Sequence, residues 1–302
     1  MTKKLATLLL SIALSTAPAT AQQPAPAPTA PAMVNANPAL WVVKDNDTTI
    51  YLFGTVHVLK PGLSWFDEAV KKAFDKSDQL VLELVMPDPT TMQALITRMG
   101  VNQDAVTLTD KLPAADRPAY IKALTDLGIP PASFDHVDPW LAATELSILP
   151  LVKLGYTPTN GPEAVLSEAA KAAGKPILGL ETAEQQLGYL DTLPEAAQIA
   201  FLESTVRDVP KAEQQFDQMV FDWSKGDPDA LAKIMNDDLD GQPQLRKTLL
   251  TDRNARWAQW IVNRMKTPGT VFIAVGAGHL AGQGSVIDDL ETRHVAVTRV
   301  SY

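Results

Sequence analysis

Two short motifs hold the residues best suited to chemistry. Tyr51-Leu52-Phe53-Gly54-Thr55-Val56-His57 and Phe272-Ile273-Ala274-Val275-Gly276-Ala277-Gly278-His279 each read as an apolar strand, then glycine, two residues and histidine. Glycine at a strand exit lets the backbone turn sharply or approach a ligand closely. The histidine then projects from the carboxyl end of the strand, the edge at which open α/β sheets place their ligands. With 16 Gly and four His in 302 residues, chance supplies only about 0.2 Gly-x-x-His matches. The pair and its shared strand context therefore stand out against the plain alternative, two loop histidines that satisfy backbone carbonyls.

Two carboxylates fall in equivalent places. Glu83 lies inside an apolar run, Leu80 to Val85, that reads as a buried strand. An ionised, unpaired carboxylate is costly there. It needs a cation, and its own segment has neither Lys nor Arg; a salt bridge to a distant arginine is the simpler reading. Glu181 directly follows the strand-like Pro176 to Leu180. Its simpler reading is a first-turn carboxylate favoured by the helix dipole. Two histidines with one or two carboxylates suit divalent Zn, Mn, Co or Fe.

Arg253 and Asn254 lie in LLTDRNARWAQW. A solvated helix face is the ordinary expectation, yet Arg253 precedes Trp257 by one turn on the same face and can turn inward towards an anion. His136 and His294 lack the Gly-x-x-His setting and read as structural. The helical zinc motif His-Glu-x-x-His is absent, as is a Gly-x-Ser-x-Gly elbow. There is no cysteine, which removes thiolate chemistry, thiolate metal sites and disulfides.

The elements that position these groups are strands spread along a helical chain. Trp41–Lys44 and Thr49–Phe53 flank the turn cluster Asp45-Asn46-Asp47 and read as a hairpin. Gln79–Val85, Pro176–Leu180, Val271–Val275 and Val295–Val300 complete the strands. Helices are expected from Ser64, with Asp67 as capping partner, from Asp138-Pro139, from Gly161-Pro162 to Gly174, and as one long element over 242–266. The pattern predicts an α/β fold: a mixed, largely parallel central sheet from N- and C-terminal segments, with a large helical insertion roughly between 86 and 250.

Lys3 and Lys4, the apolar run Leu5 to Leu14 and Ala19-Thr20-Ala21 read as a signal peptide cleaved after Ala21, giving a periplasmic or secreted protein. Residues 22–39 are rich in Pro and Ala and read as an extended linker, with the domain at 40–302. No stable membrane insertion is expected after cleavage. The formal charge is −9, or −11 once Lys3 and Lys4 are removed, without a Lys/Arg cluster. Nucleic acid is therefore not an expected partner.

The order YLFGTVH, LVLELV, GKPILGLETAEQQL, LLTDRNARWAQW, VGAGHLAGQG resembles the TraB/GumN family, which includes PrgY and the TIKI metalloproteases and is distantly similar to erythromycin esterase and ChaN-like folds. The resemblance implies a metal-dependent hydrolase. His57, Glu83 and His279 become the expected metal ligands, with Glu181, Arg253 and Asn254 as further site residues. Glu181 is then the expected general base, Arg253 the oxyanion stabiliser, and a peptide or other small envelope molecule the substrate. A non-catalytic protein that binds a peptide, metal or haem, or an envelope accessory factor, is the alternative. This chain departs from the family pattern at Gly161-Pro162-Glu163, where Gly-x-Asp is expected, and at His294, where glycine is usual.

Overall fold

A computed structural model describes residues 33–102, 104–240 and 242–302. The expected signal segment and the linker up to residue 32 lie outside the described residues. The folded part starts before Leu40: strand β1 (Val34–Asn35) pairs in parallel with β4 (Leu63–Ser64), and Ala36 is buried.

The main sheet has six strands. Two form the expected hairpin, β2 (Leu40–Lys44) and β3 (Thr48–Thr55). Its turn is closed by Asp45, whose carboxylate accepts the N–H groups of Asp47 and Thr48. The others are β5 (Gln79–Leu84), β6 (Ile177–Glu181), β7 (Gly269–Gly276) and β8 (Thr298–Arg299). Their order is β6-β5-β7-β3-β2-β8. The first four are parallel and β2 and β8 run against their neighbours, which is the mixed, largely parallel sheet the sequence predicts. The last strand is shorter than expected, because only Thr298 and Arg299 pair with β2. The helical insertion is interrupted by β6, which returns the chain to the sheet edge beside β5.

Side chains alternate along β7. Phe272 and Ala274 join Phe53, Leu80, Leu82, Phe74 and Trp223 on one face. Val271, Ile273 and Val275 join Ile50, Leu52, Val81, Trp257 and Ile261 on the other. Both faces are covered by helices, as near-continuous apolar strands require. A separate helical core holds Leu108, Tyr120, Leu124, Leu146 and Leu202.

Two helical expectations change in detail. The helix near Ser64 begins at Glu68 with Asp67 as N-cap residue, and Ser64 hydrogen-bonds the Asp67 carboxylate. The element over 242–266 is not one α-helix: Pro243–Arg246 runs into a π-helical turn, Lys247–Thr251, and then into Asp252–Arg264. Helix Pro162–Ala172 ends before Gly174 at φ +65°, as expected for a left-handed helix terminus. His294 takes φ +62° in the turn before β8, where it stands in for the usual glycine. No helix among the described residues is long and apolar enough to cross a membrane.

Candidate functional site

Parallel register brings the four strand ends to one edge. Thr55 of β3 lies opposite Gly276 of β7, and Leu84 of β5 lies opposite Glu181 of β6. β7, last in sequence, enters between β3 and β5. His57, Glu83, Glu181 and His279 thus share the carboxyl edge of the sheet, and Arg253 and Asn254 reach it from helix Asp252–Arg264.

The two motif glycines serve close approach; neither adopts positive φ. A Cβ on Gly54 would lie 3.1 Å from the Cα of Ala277, so the His279 turn packs directly on the end of β3. A Cβ on Gly276 would lie 3.1 Å from Glu83 Oε1, 3.6 Å from His57 Nε2 and 3.6 Å from His279 Cδ2. Three site side chains therefore surround one glycine, whose N–H donates to Glu83 Oε1 at 2.6 Å.

Glu83 finds its cation in Arg253. Arg253 Nη2 donates to Glu83 Oε2 at 2.7 Å and to Glu181 Oε2 at 2.8 Å, and Nε donates to both Glu181 oxygens. Arg253 is 7% exposed, so the solvated-face expectation does not hold. The π-turn explains its position. It places the Leu249 carbonyl where Arg253 Nη1 donates to it at 3.1 Å, while Trp257 and Tyr189 flank the guanidinium. Such turns recur at functional sites. Glu181 also accepts from Trp257 Nε1, Tyr189 Oη and Gln186 Nε2. A buried carboxylate with this many donors holds Arg253 in place and has no open lone pair for the general-base role expected of it.

His279 is held from both sides by adjacent residues. Its Nδ1 lies 2.6 Å from Asn254 Oδ1, while Asn254 Nδ2 donates to the Gly284 carbonyl. That second bond fixes the amide orientation, so His279 Nδ1 carries the hydrogen and Nε2 is an acceptor. Arg253 Nη1 donates to that Nε2 at 3.2 Å. Burial lowers the imidazole pKa to about 4; Glu83 opposes this and Arg253 adds to it. His279 is therefore neutral at neutral pH. For Glu83, burial pushes the carboxyl up, but the imidazoles of His279 and His57, the Arg253 guanidinium and the Gly276 N–H outweigh it and hold it at about 2.

His57 stands at the rim, its side chain 68% exposed. Its Nδ1 lies 2.7 Å from Glu163 Oε1. The Glu163 carboxylate raises the imidazole to about 9 against desolvation, an effect that solvent at the rim partly screens. Glu163 is a site residue that the sequence reading did not select. Its signal was the departure at Gly161-Pro162-Glu163, and an acidic residue in a first helical turn is ordinarily read as complementing the dipole. His136 lies in the segment before helix Pro139–Lys153, where its carbonyl accepts the N–H of Asn102.

The donor set suits a divalent ion. Both imidazoles have Nδ1 engaged by an oxygen, the arrangement that orients metal-binding histidines. His279 Nε2 and Glu83 Oε1 are 3.9 Å apart, wider than the roughly 3.4 Å that separates two tetrahedral ligands about 2.1 Å from one ion, so these side chains would have to close slightly to share one. As the side chains stand, no group of three or more His, Asp or Glu among the described residues is gathered closely enough to enclose an ion.

A profile of the TraB/PrgY/gumN family matches residues 39–299. The chain belongs to the TraB/PrgY/gumN family. Within it, the uncharacterised protein YbaP of Escherichia coli (strain K12) is 25% identical over 254 residues, covering 82% of this chain and 90% of YbaP. The uncharacterised YbaP of Shigella flexneri matches with the same identity and coverage. No solved structure matches the chain. The motifs singled out above, from Gly54 to Gly284, all lie inside the span matched by the TraB/PrgY/gumN profile.

Proposed function

We propose that this chain is an exported, metal-dependent hydrolase acting on peptides. The observation that carries the reading is the pair of imidazoles whose Nδ1 atoms are tied to Glu163 and Asn254, with His57 Nε2, the His279 ring edge and Glu83 Oε1 gathered around Gly276 and His279 Nε2 lying 3.9 Å from Glu83 Oε1. His57, Glu83 and His279 would hold the ion. A divalent ion supplies Lewis-acid polarisation of a carbonyl and activation of water at neutral pH. Asn254 keeps the His279 lone pair directed at the site. Glu181, with Trp257, Tyr189 and Gln186, anchors Arg253. The Arg253 N–H that here meets His279 Nε2 is released once that nitrogen takes another partner, and it can then donate to the developing oxyanion of a scissile carbonyl. Burial of the cluster strengthens that donation.

The residues at the amino terminus support export to the periplasm or the medium. The full engagement of Arg253 favours a second reading, a peptide-binding protein that uses the same crevice without turnover. A mixture of quenched fluorescent peptides, offered with Mn, Co, Zn and Fe(II) in turn, separates the two. Cleavage that a chelator abolishes and an excess of one metal restores is the expected result. Binding of peptides without cleavage under any metal would replace the hydrolase by the binder.

A further inference from the structure

We propose that Glu163 is a positioning residue of this site, which in the neutral His57 ring fixes Nδ1–H towards its own carboxylate and leaves the Nε2 lone pair on the side of Gly276. An ionised carboxylate only accepts, so the 2.7 Å contact to Glu163 Oε1 requires hydrogen on Nδ1. Without such a partner a neutral imidazole favours the Nε2–H form, which would put a hydrogen where the site needs a lone pair.

The two histidines differ in what else holds them. His279 is buried, bonded to Asn254 and packed against the Trp257 ring with centroids 4.4 Å apart. His57 is largely exposed, and among the described residues Glu163 is the side chain that hydrogen-bonds its ring. Orientation of His57 therefore depends on one carboxylate, contributed from 106 residues away.

That carboxylate is itself held firmly. Thr55 Oγ1 donates to the same Glu163 oxygen at 2.5 Å, which ties it to the end of β3. Helix Pro162–Ala172 starts against the His57 backbone: a Cβ on Gly161 would lie 2.3 Å from the His57 carbonyl oxygen. Leu59 and Thr157 exchange backbone hydrogen bonds just beyond. The glycine lets the two chains touch, and Pro162 sets the first turn that aims Glu163 at the ring. Thr55, Glu163 and His57 thus form a fixed chain from strand to helix to site.

The tautomer claim stands on geometry alone; its consequence for metal binding rests on the function proposed above. The test uses the full chain, labelled with 15N-histidine and freed of metal, at roughly pH 10, where imidazole is neutral. Wild type should show His57 as Nδ1–H, Glu163→Ala should show Nε2–H, and Glu163→Gln, whose amide oxygen still accepts, should keep Nδ1–H. His279 should remain Nδ1–H throughout as the internal reference. If the alanine variant does not fold, Glu163→Leu removes the acceptor at similar volume. An unchanged His57 tautomer in a folded variant that lacks the acceptor overturns the proposal, as does Nε2–H in wild type. Zinc affinity, by chelator competition, should fall about 10- to 100-fold in the alanine variant and less in the glutamine variant. Zinc binding with no tautomer change sinks the Glu163 role alone. The tautomer change with no zinc binding in wild type leaves that role standing and sinks the metal reading.

Discussion

Arg253 is the sharpest point at which to perturb this protein. Replacing it by methionine keeps the apolar stem and removes the guanidinium. The side chains of Arg253, Glu83 and Glu181 are 9%, 13% and 3% accessible. The substitution therefore leaves two buried carboxylates without their cation, a change that costs about 3–5 kcal/mol when a buried pair is broken. Several neutral donors stay in place: Gly276 N–H on Glu83, and Trp257, Tyr189 and Gln186 on Glu181. They argue for the lower end, about 3 kcal/mol, which in a domain of this size is a fall in Tm of roughly 6–12 °C. Urea unfolding of the metal-free protein, followed by circular dichroism, measures it. The pH dependence adds a second signature. The folded-state pKa of Glu83 is depressed from 4.5 to about 2, so its stabilisation is present above pH 4.5 and is lost as pH falls towards 2. Part of that stabilisation comes from Arg253. The gap between wild type and Arg253→Met should therefore be widest near neutrality and should narrow below about pH 4. A gap under about 1 kcal/mol at pH 7, or one that does not change with pH, would refute the claim that Arg253 neutralises this cluster.

Two further outcomes follow from the same geometry. Gly161→Ala should destabilise the protein more than Gly54→Ala, because its new methyl meets a backbone carbonyl at 2.3 Å while the Gly54 methyl meets Ala277 at 3.1 Å; equal melting temperatures would contradict the close approach at His57. In acid, the metal-free wild type should begin to lose stability below about pH 6.5, where the unfolded chain protonates a histidine that His279, lowered to about 4, does not protonate when folded. A flat stability profile between pH 6.5 and pH 4.5 would show that His279 is not held neutral by burial.

Much of this site was legible because its residues sit in repeating local contexts. The apolar runs ending in Gly54 and Gly276 announced two strand exits, and parallel pairing then placed His57 and His279 at one edge. Glu83 inside an apolar strand announced its need for a cation. The one-turn spacing from Arg253 to Trp257 hinted at where that cation lies, and the structure pairs the two. What escaped was set by tertiary contacts. Glu163 stood out only as a departure from the family pattern, because nothing within its own helix shows that His57 and Thr55 converge on it. Glu181 read as a first-turn carboxylate or a general base because its donors come from Arg253, Trp257, Tyr189 and Gln186 in two other helices. The π-turn at Lys247–Thr251 escaped because the α-helical stretch before it, Pro243–Arg246, is too short to set an apolar phase against which one extra residue, about 100° of rotation, could be read.

The central claim is that His57, Glu83 and His279 together bind one divalent ion. Calorimetric titration of chelator-treated protein with Zn, Mn or Co, alongside His57→Ala/His279→Ala, tests it most directly. The account predicts one ion per chain in wild type and loss of that binding in the double variant, with both proteins folded by circular dichroism. Equal metal uptake by the two, or none by wild type, would contradict it.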